Sequence, residues 1–415
     1  MTNRGKRAEE LLASILREPL LVDFVHLRPT YVRNQKTFEL CDLLIEDEPK
    51  AIVAQLKVQD FEKAKDGRDP QRWARKRIVK ASNQVLGALR KLKLSNITMK
   101  GPSRGTVNFP AGSLIGMHGL VILDYSSTPF KIGDSLPRRT KSLIPIHYFS
   151  HQDFIILCQN LMTLPDLIEY LHERSKIPAW ATPMLNDERN AYAYYHTHKG
   201  TFSSTLRLKD FEGQWKRLTH DFASRYAEKL REDSRAEIFT RILKVMHENE
   251  PVDYEFIPDY IQKVTSRENK FRVEATRKSN RLRRLIRREI CKKLLKKIKL
   301  ADNSPIGFNY FGFRSEDAST MYVFLASRHS RKKRIEELAV ICDCINNIDE
   351  ADCIIGIATE NLHSKNGRSF DFIIIGGRPK DTDPEAIEKC RQLFGQMQFE
   401  LIYDFPKEKP RIIRP

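Results

Sequence analysis

No stretch of the sequence approaches the roughly 20 consecutive apolar residues that span a bilayer. The N-terminus, Met1-Thr-Asn-Arg-Gly-Lys6, runs into an amphipathic segment rich in Glu and Arg instead of an apolar leader core. A cytoplasmic chain with no membrane contact is therefore expected. Nucleotide and nucleophile signatures are also missing: there is no Gly-x-x-x-x-Gly-Lys-Ser/Thr run, no Gly-x-Gly-x-x-Gly fingerprint and no Gly-x-Ser-x-Gly elbow. ATP-driven motion would need a partner chain. Cysteine is sparse and unpaired in pattern, with seven residues scattered along the chain and Cys342 and Cys344 separated by one residue, not two. That spacing argues against structural zinc and for reduced core thiols. Only 18 Gly and 20 Pro in 415 residues leave little room for long disordered tracts.

A chain of this length exceeds what one hydrophobic core usually organises, so two domains and a third small module are expected. The net charge of +18 is unevenly placed. Residues 277–299 hold twelve Lys or Arg and one acid, Glu289, which accounts for eleven of the eighteen net positive charges. Concentrated cationic charge points to a polyanion, most simply nucleic acid.

Hydrophobic spacing predicts a first helix over 7–17 with Ala8, Leu11, Leu12 and Ile15 on one face. Two strands follow, Phe38–Ile45 and Ala51–Val58, with turn-prone residues between them. A helix over 70–92 carries Ile78, Ala81, Val85, Ala88, Leu89 and Leu92 as its buried stripe. Further strands within 113–124 and at 144–149, then helices at 152–161 and 164–174, complete an α/β layout around one mixed sheet over residues 1–200. Residues 201–300 read as a helical, strongly basic connecting region, and the breaker cluster Ala301–Pro305 opens a second small α/β module over 301–415, of sensing or docking type. Its elements are expected near 308–314, 320–326, 332–346, 352–358, 369–375, from Asp383 onward, and 399–404.

The strand 51–58 is apolar except at Gln55 and Lys57, which point to one face because strand side chains alternate. The preceding strand buries one acid, Asp42, at a cost of several kcal/mol unless it is paired or ligates a metal. Hairpin pairing places Asp42 opposite Gln55 or Lys57, on the same face. A hard divalent cation, Mg²⁺ or Mn²⁺, wants oxygen ligands, and Asp42, Gln55 and the Leu56 carbonyl offer three. Lys57 would orient or deprotonate an attacking water and stabilise charge on a phosphodiester oxygen. The plainer reading is a buried Asp42–Lys57 ion pair with Gln55 as a hydrogen-bonded neighbour.

Asp, twelve intervening residues, then Gln-x-Lys, on adjoining strands after a Glu-bearing helix, resembles the PD-(D/E)XK nuclease superfamily, more narrowly its Mrr-type restriction endonuclease and antiphage branch. The resemblance covers about residues 5–175 and implies a restriction-endonuclease-like mixed central sheet flanked by helices. It further implies a metal-dependent DNA endonuclease acting in restriction or antiphage defence, with Asp42, Gln55 and Lys57 as the catalytic set. Such a protein is expected to work as a homo-oligomer or as one subunit of a defence complex. Two departures are plain: Cys41 stands where the eponymous proline would be, and Gln55 is neutral. The superfamily's first-helix acid matches Glu9, which flanks the predicted apolar stripe while Glu10 points away.

For nucleic-acid contact the sequence offers Arg72, Arg75, Lys76, Lys80 and Gln84 on the second helix, and Arg283, Arg284, Arg287, Arg288, Lys292, Lys293 and Lys296 in the basic segment. A catalytically weak nuclease fold that only binds DNA, or an RNA-directed nuclease, would use the same residues. The His196-Thr-His198 pair lacks a third ligand in view, and Asp371 is not followed by Gln-x-Lys or Glu-x-Lys, so neither predicts a further site.

Overall fold

The computed structural model describes residues 3–402 apart from 21–23, 34, 48, 60–69, 102–104, 125–135, 138, 140–142, 179–180, 183–186, 249–268, 316–318, 349–350, 362–368, 377–383 and most of 386–400. Two compact units emerge, one of the described residues up to Leu230 and one of Arg231–Lys407. Boundaries were expected near 200 and 300. The difference arises because the basic segment is no connector: its apolar residues Leu282, Ile286, Ile290, Leu294 and Ile298 are all buried, so it is part of the second unit's core.

In the first unit, α1 (Asn3–Leu20) is followed by β1 (Val25–Leu27), β2 (Thr30–Arg33), β3 (Lys36–Glu39), β4 (Leu43–Asp47), β5 (Lys50–Val58), α2 (Pro70–Leu94), β6 (Ile97–Gly101), β7 (Gly105–Phe109), β8 (Gly116–Asp124), β9 (Ile146–Ser150), α3 (His151–Leu161), α4 (Leu164–Arg174), α5 (Glu188–Thr197) and α6 (Ala223–Asp233), whose residues from Arg231 onward belong to the second unit. The central sheet has the order β1-β4-β5-β8-β9. It is mixed: β1 and β5 pair antiparallel with β4, while β8 pairs parallel with β5 and β9 with β8. Alternation on these strands sorts two cores. Ile52, Ala54 and Leu56 of β5 join Leu12 and Leu16 of α1 and Phe154 and Leu157 of α3 on one face. Ala51 and Val53 join Ile78, Ala81 and Val85 of α2 on the other. The α2 stripe is buried as its spacing predicts, and Gly119 marks where α2 presses closest, since a Cβ there would meet Val85 Cγ1 at 2.6 Å.

Three local expectations change. The strand predicted over Phe38–Ile45 is two pieces, because Lys36–Glu39 is exposed at every position and pairs with β2 in a separate ribbon, leaving Leu43 to begin the sheet strand. The ribbon β6–β7 has no counterpart in the sequence reading. On α1 the buried stripe is Ala8, Leu12, Ala13 and Leu16 with Leu11 52% exposed, a rotation that carries Glu9 inward.

The second unit comprises α7 (Ala236–Glu248), α8 (Asn269–Asn280), α9 (Arg284–Asn303), β10 (Phe308–Arg314), β11 (Thr320–Ser327), α10 (Arg331–Ile348), β12 (Cys353–Glu360), β13 (Phe370–Gly376) and β14 (Leu401–Ile402). Its sheet runs β13-β12-β11-β10-β14, with β11 parallel to β12 and antiparallel to β10. α10 packs Ile335, Leu338, Cys342 and Ile345 onto one face. The helix expected from Asp383 falls mostly outside the described residues, with helical backbone described at Pro384 and Glu385.

Both units use one plan, a helix, an antiparallel strand pair, then a crossover helix into a parallel strand: α1 with β4-β5-α2-β8, and α9 with β10-β11-α10-β12. In the second unit, continuing the β10–β11 register one step past Phe308↔Ser327 sets Gly307 opposite Arg328. The corresponding step in the first sets Asp42 opposite Gln55. A glycine thus stands where the acid would be, in keeping with a single Asp/Gln-x-Lys arrangement. No described helix is long and apolar enough to cross a membrane.

Candidate active site

Asp42 lies one residue before β4, at the point where the β4–β5 ladder stops at Leu43↔Ala54. Its carboxylate takes over from the ladder: Oδ2 accepts the Leu56 backbone N–H at 2.7 Å. In an antiparallel pair the N–H and C=O of one residue point to the same edge, so the Leu56 carbonyl faces the Asp42 side as well. Lys57 Nζ donates to Gln55 Oε1 at 2.8 Å and to Asp42 Oδ2 at 3.3 Å. Asp42 and Gln55 are 3% and 2% exposed, and the Lys57 side chain 15%. The three residues singled out from spacing are therefore one hydrogen-bonded cluster at a strand end. As drawn, it is the ion pair of the plainer reading.

Glu9 belongs to the same cluster. It is 3% exposed on α1, and Arg28 Nε donates to its Oε2 at 2.6 Å. Arg28 ties this acid to the strand end, since its own backbone N–H donates to the Asp42 carbonyl at 2.9 Å from a left-handed conformation, φ +46°. Burial raises the Glu9 pKa above the usual carboxylate value, the Arg28 hydrogen bond opposes this, and the nearby Asp42 charge adds to the rise. Glu39 is raised too, by desolvation first and Asp42 second. Three carboxyl groups thus feel one another around Asp42. Cys41, at the position of the eponymous proline, is a fully buried thiol whose pKa is pushed well up by desolvation.

Arg28, Glu39 and Gln59 were not foreseen. Gln59 was the legible one: it continues the Gln55, Lys57 alternation by one step, is 3% exposed, and its Oε1 is buried without a hydrogen-bond partner among the described residues. Arg28 carried no pattern, because its role depends on a turn that brings α1 and β4 together.

The α2 cations flank this end of the sheet. Val85 meets Gly119, the partner of Val53, and Ser82 Oγ lies 3.2 Å from the hydroxyl of Tyr148, the partner of Val121 beside Gln55. Residues before Ser82 therefore run toward the Lys57 end. Arg72, Arg75, Lys76 and Lys80 are exposed there, and Arg77 stacks 6.0 Å over Trp73. Gln84 is exposed past Ser82, off the stripe that faces the sheet, so it is not brought to the cluster.

The basic segment divides. Arg284 and Arg287 are buried within the second unit, which corrects their assignment to nucleic-acid contact, whereas Arg288 is half-buried and ion-paired and keeps part of its side chain exposed. Arg284 pairs with Asp233, and Arg288 pairs with Glu232 at 2.9 Å. Arg287 is fully buried, donating to the Leu282 and Asn280 carbonyls, each at 2.8 Å, over the Phe239 ring. Spacing alone could not show this, because a helix whose one face packs on a sheet and whose flanks pack on another helix has few free sides. Lys292 and Lys296 are exposed, and Arg283 and Lys293 are half-buried.

His196 and His198 stack on Tyr192 and Tyr194, and Asp371 is bound by Arg331 and Arg334. Among the described residues no group of three or more His, Cys, Asp or Glu is arranged to hold a metal ion. Comparison with family models, curated proteins and solved structures finds no match to the chain.

Proposed function

We propose that the first unit is a divalent-metal-dependent endonuclease on a restriction-endonuclease-like sheet, hydrolysing phosphodiester bonds of DNA in restriction or antiphage defence. The observation that carries this reading is the convergence of the Asp42 carboxylate, the Gln55 amide and the Lys57 ammonium at one strand end. Buried ion pairs seldom add net stability over apolar residues, so three buried polar groups gathered where an apolar strand pair ends favour a chemical role. The donor chemistry fits a hard cation: Asp42, Gln55 and the Leu56 carbonyl would hold Mg²⁺ or Mn²⁺ with waters completing the shell, and Glu9 would add negative charge behind them. The bound ion would supply Lewis-acid stabilisation of charge on the phosphate. Lys57 releases Gln55 Oε1 to donate to a phosphodiester oxygen, and Arg72, Arg75, Lys76 and Lys80 hold the backbone on either side. A homo-oligomer, or a partner subunit, would let both strands be cut.

The second reading is a nuclease fold that binds DNA without cutting it. It is favoured by the neutral Gln55 and by Arg28, which already occupies Glu9.

The test is cleavage of supercoiled plasmid, and of a matched RNA, by the purified chain with and without Mg²⁺. Lys57→Ala and Asp42→Asn are each expected to lower Mg²⁺-dependent DNA nicking by about 10²-fold or more. Cleavage unchanged in both variants would overturn the site. Salt-dependent binding with no cutting in wild type would select the second reading, and preferential RNA cleavage would redirect the substrate.

A further inference from the structure

All seven cysteines are free thiols, and two of them meet in the second unit. Cys344 lies in the last turns of α10, and Cys390 lies on helical backbone after β13. The Cys390 thiol donates to Cys344 Sγ at 2.8 Å, across 46 residues of sequence. Among the described residues no other two cysteine sulfurs are in hydrogen-bond contact. Cys342, on the same helix, serves a different contact: it packs toward β12, where a Cβ on Gly356 would meet its Sγ at 2.5 Å. Cys342 is sealed at 0% exposed, whereas Cys344 and Cys390 keep 6% and 7%. The titratable groups beside Cys344, besides its partner thiol, are Asp343, Cys342 and Tyr310 of β10.

We infer that Cys344 and Cys390 are an oxidation site, which closes to a disulfide when the chain meets a hydroperoxide and fastens the C-terminal helical segment to α10. The step balances with the peroxide as the two-electron oxidant. One thiolate attacks the O–O bond and becomes a sulfenic acid, with the first water leaving. The second sulfur then displaces the sulfenic oxygen, which departs as a second water with the remaining thiol proton. Two thiol hydrogens and two electrons pass to the peroxide. A disulfide is about 2.05 Å long, so the two sulfurs need less than about 1 Å of further approach. Their contact also makes the second displacement effectively unimolecular, so the sulfenic acid is resolved before further oxidation. The first attack is the slow step, because burial foremost, then the partner thiol and the Asp343 charge, hold the Cys344 thiol in its protonated form. The bond would stabilise the second unit by restricting its unfolded chain across the intervening β12 and β13. Nothing in this site depends on nuclease activity.

The experiment is treatment of the reduced, reductant-free full chain with hydrogen peroxide under native conditions, followed by denaturation, alkylation of the remaining thiols and non-reducing peptide mapping. The expected product is a monomer that has lost two hydrogens, with one cross-linked peptide joining Cys344 to Cys390 and the other five cysteines alkylated. Dithiothreitol should reverse it. The oxidised chain should unfold about 5 °C or more above the reduced one, and the rate of cross-linking should rise with pH as the thiolate becomes more populated. Cys344→Ser and Cys390→Ser should each abolish both the cross-link and the Tm rise. Asp42→Asn should cross-link as wild type, which separates this site from the strand-end cluster. Seven alkylated thiols after oxidation, a bond to any other cysteine, a bond between two chains, or sulfinic acid in place of the disulfide would each overturn the site. A Cys344–Cys390 bond that leaves Tm unchanged would overturn the fastening. Mapping of the wild-type chain decides the site even where a serine variant fails to fold.

Discussion

Arg28 shows how one side chain can hold a cluster that no sequence pattern reveals. It donates to Glu9 and, through its backbone, to the Asp42 carbonyl. Glu9 is nearly inaccessible beside two further carboxylates, so removing the guanidinium leaves an uncompensated buried charge. Arg28→Ala is expected to cost about 3 kcal/mol of stability at neutral pH. Most of that loss should disappear when Glu9→Gln is added, because the charge that needed a partner is then gone. The loss should also shrink on acidification, since Glu9 has a raised pKa and protonates early. Urea unfolding of the two single variants and the double variant measures the coupling, and additive losses would show that the pair is not energetically linked. Asp42, Gln55 and Lys57 were legible because each breaks an apolar pattern, and Glu9 because it flanks the apolar stripe of a first helix of the kind the resemblance implies. Arg28 was not, since it sits in no periodic segment.

Elements whose burial follows a period were legible, and those set by tertiary context were not. The α2 stripe and the pairing of β4 with β5 follow from spacing, although only the structure chooses Gln55 over Lys57 as the residue opposite Asp42; the exposed β2–β3 ribbon has no buried face to announce it. A buried network joining β8, β9, α3, α4 and α5 escaped notice for the same reason. His118 Nδ1 lies 3.1 Å from His147 Nε2, Arg174 grips Glu188 at 2.6 and 2.7 Å, and the Glu188 N–H donates to Asp153 at 2.9 Å. Desolvation lowers His118 to about 4 and raises Asp153 to about 6, opposite in effect on stability. For His118 the unfolded chain takes up the proton first, so stability falls as pH drops from about 6.5 toward 4. For Asp153 the folded chain takes it up first, so its ionised form costs stability above about pH 6, and that cost is relieved as pH falls toward 3.8. Asp153→Asn, which can still accept the Glu188 N–H, is therefore expected to exceed wild type by up to about 3 kcal/mol at pH 7.5 and to converge with it near pH 4. Unfolding curves across that range decide it, and a pH-independent difference would show that Asp153 carries no such penalty.

At the scale of the whole molecule, composition located the cationic charge but could not say which cations are free. The helix α9 holds its arginines and its lysines in different roles. Arg287 is fully buried and bonds the backbone of the turn that precedes its own helix, whereas Lys292 and Lys296 are exposed. The pattern of charge was identical for both sets, and only packing against α7 and the sheet distinguishes them. Two substitutions should separate stability from binding. Arg287→Ala removes a buried charge network and is expected to cost about 3 kcal/mol or more, with loss of the second unit's cooperative unfolding. Lys292→Ala with Lys296→Ala removes exposed charge and one surface ion pair, Lys292–Glu289 at 3.9 Å, and should leave stability within about 0.5 kcal/mol. If these two lysines neutralise DNA phosphates, the same pair should reduce the slope of log affinity against log salt by about 2, because each phosphate contact released contributes close to one unit. An unchanged slope would remove these two lysines from nucleic-acid contact and leave the first unit's Arg72, Arg75, Lys76 and Lys80, exposed toward the Lys57 end of the sheet, as the more accessible set.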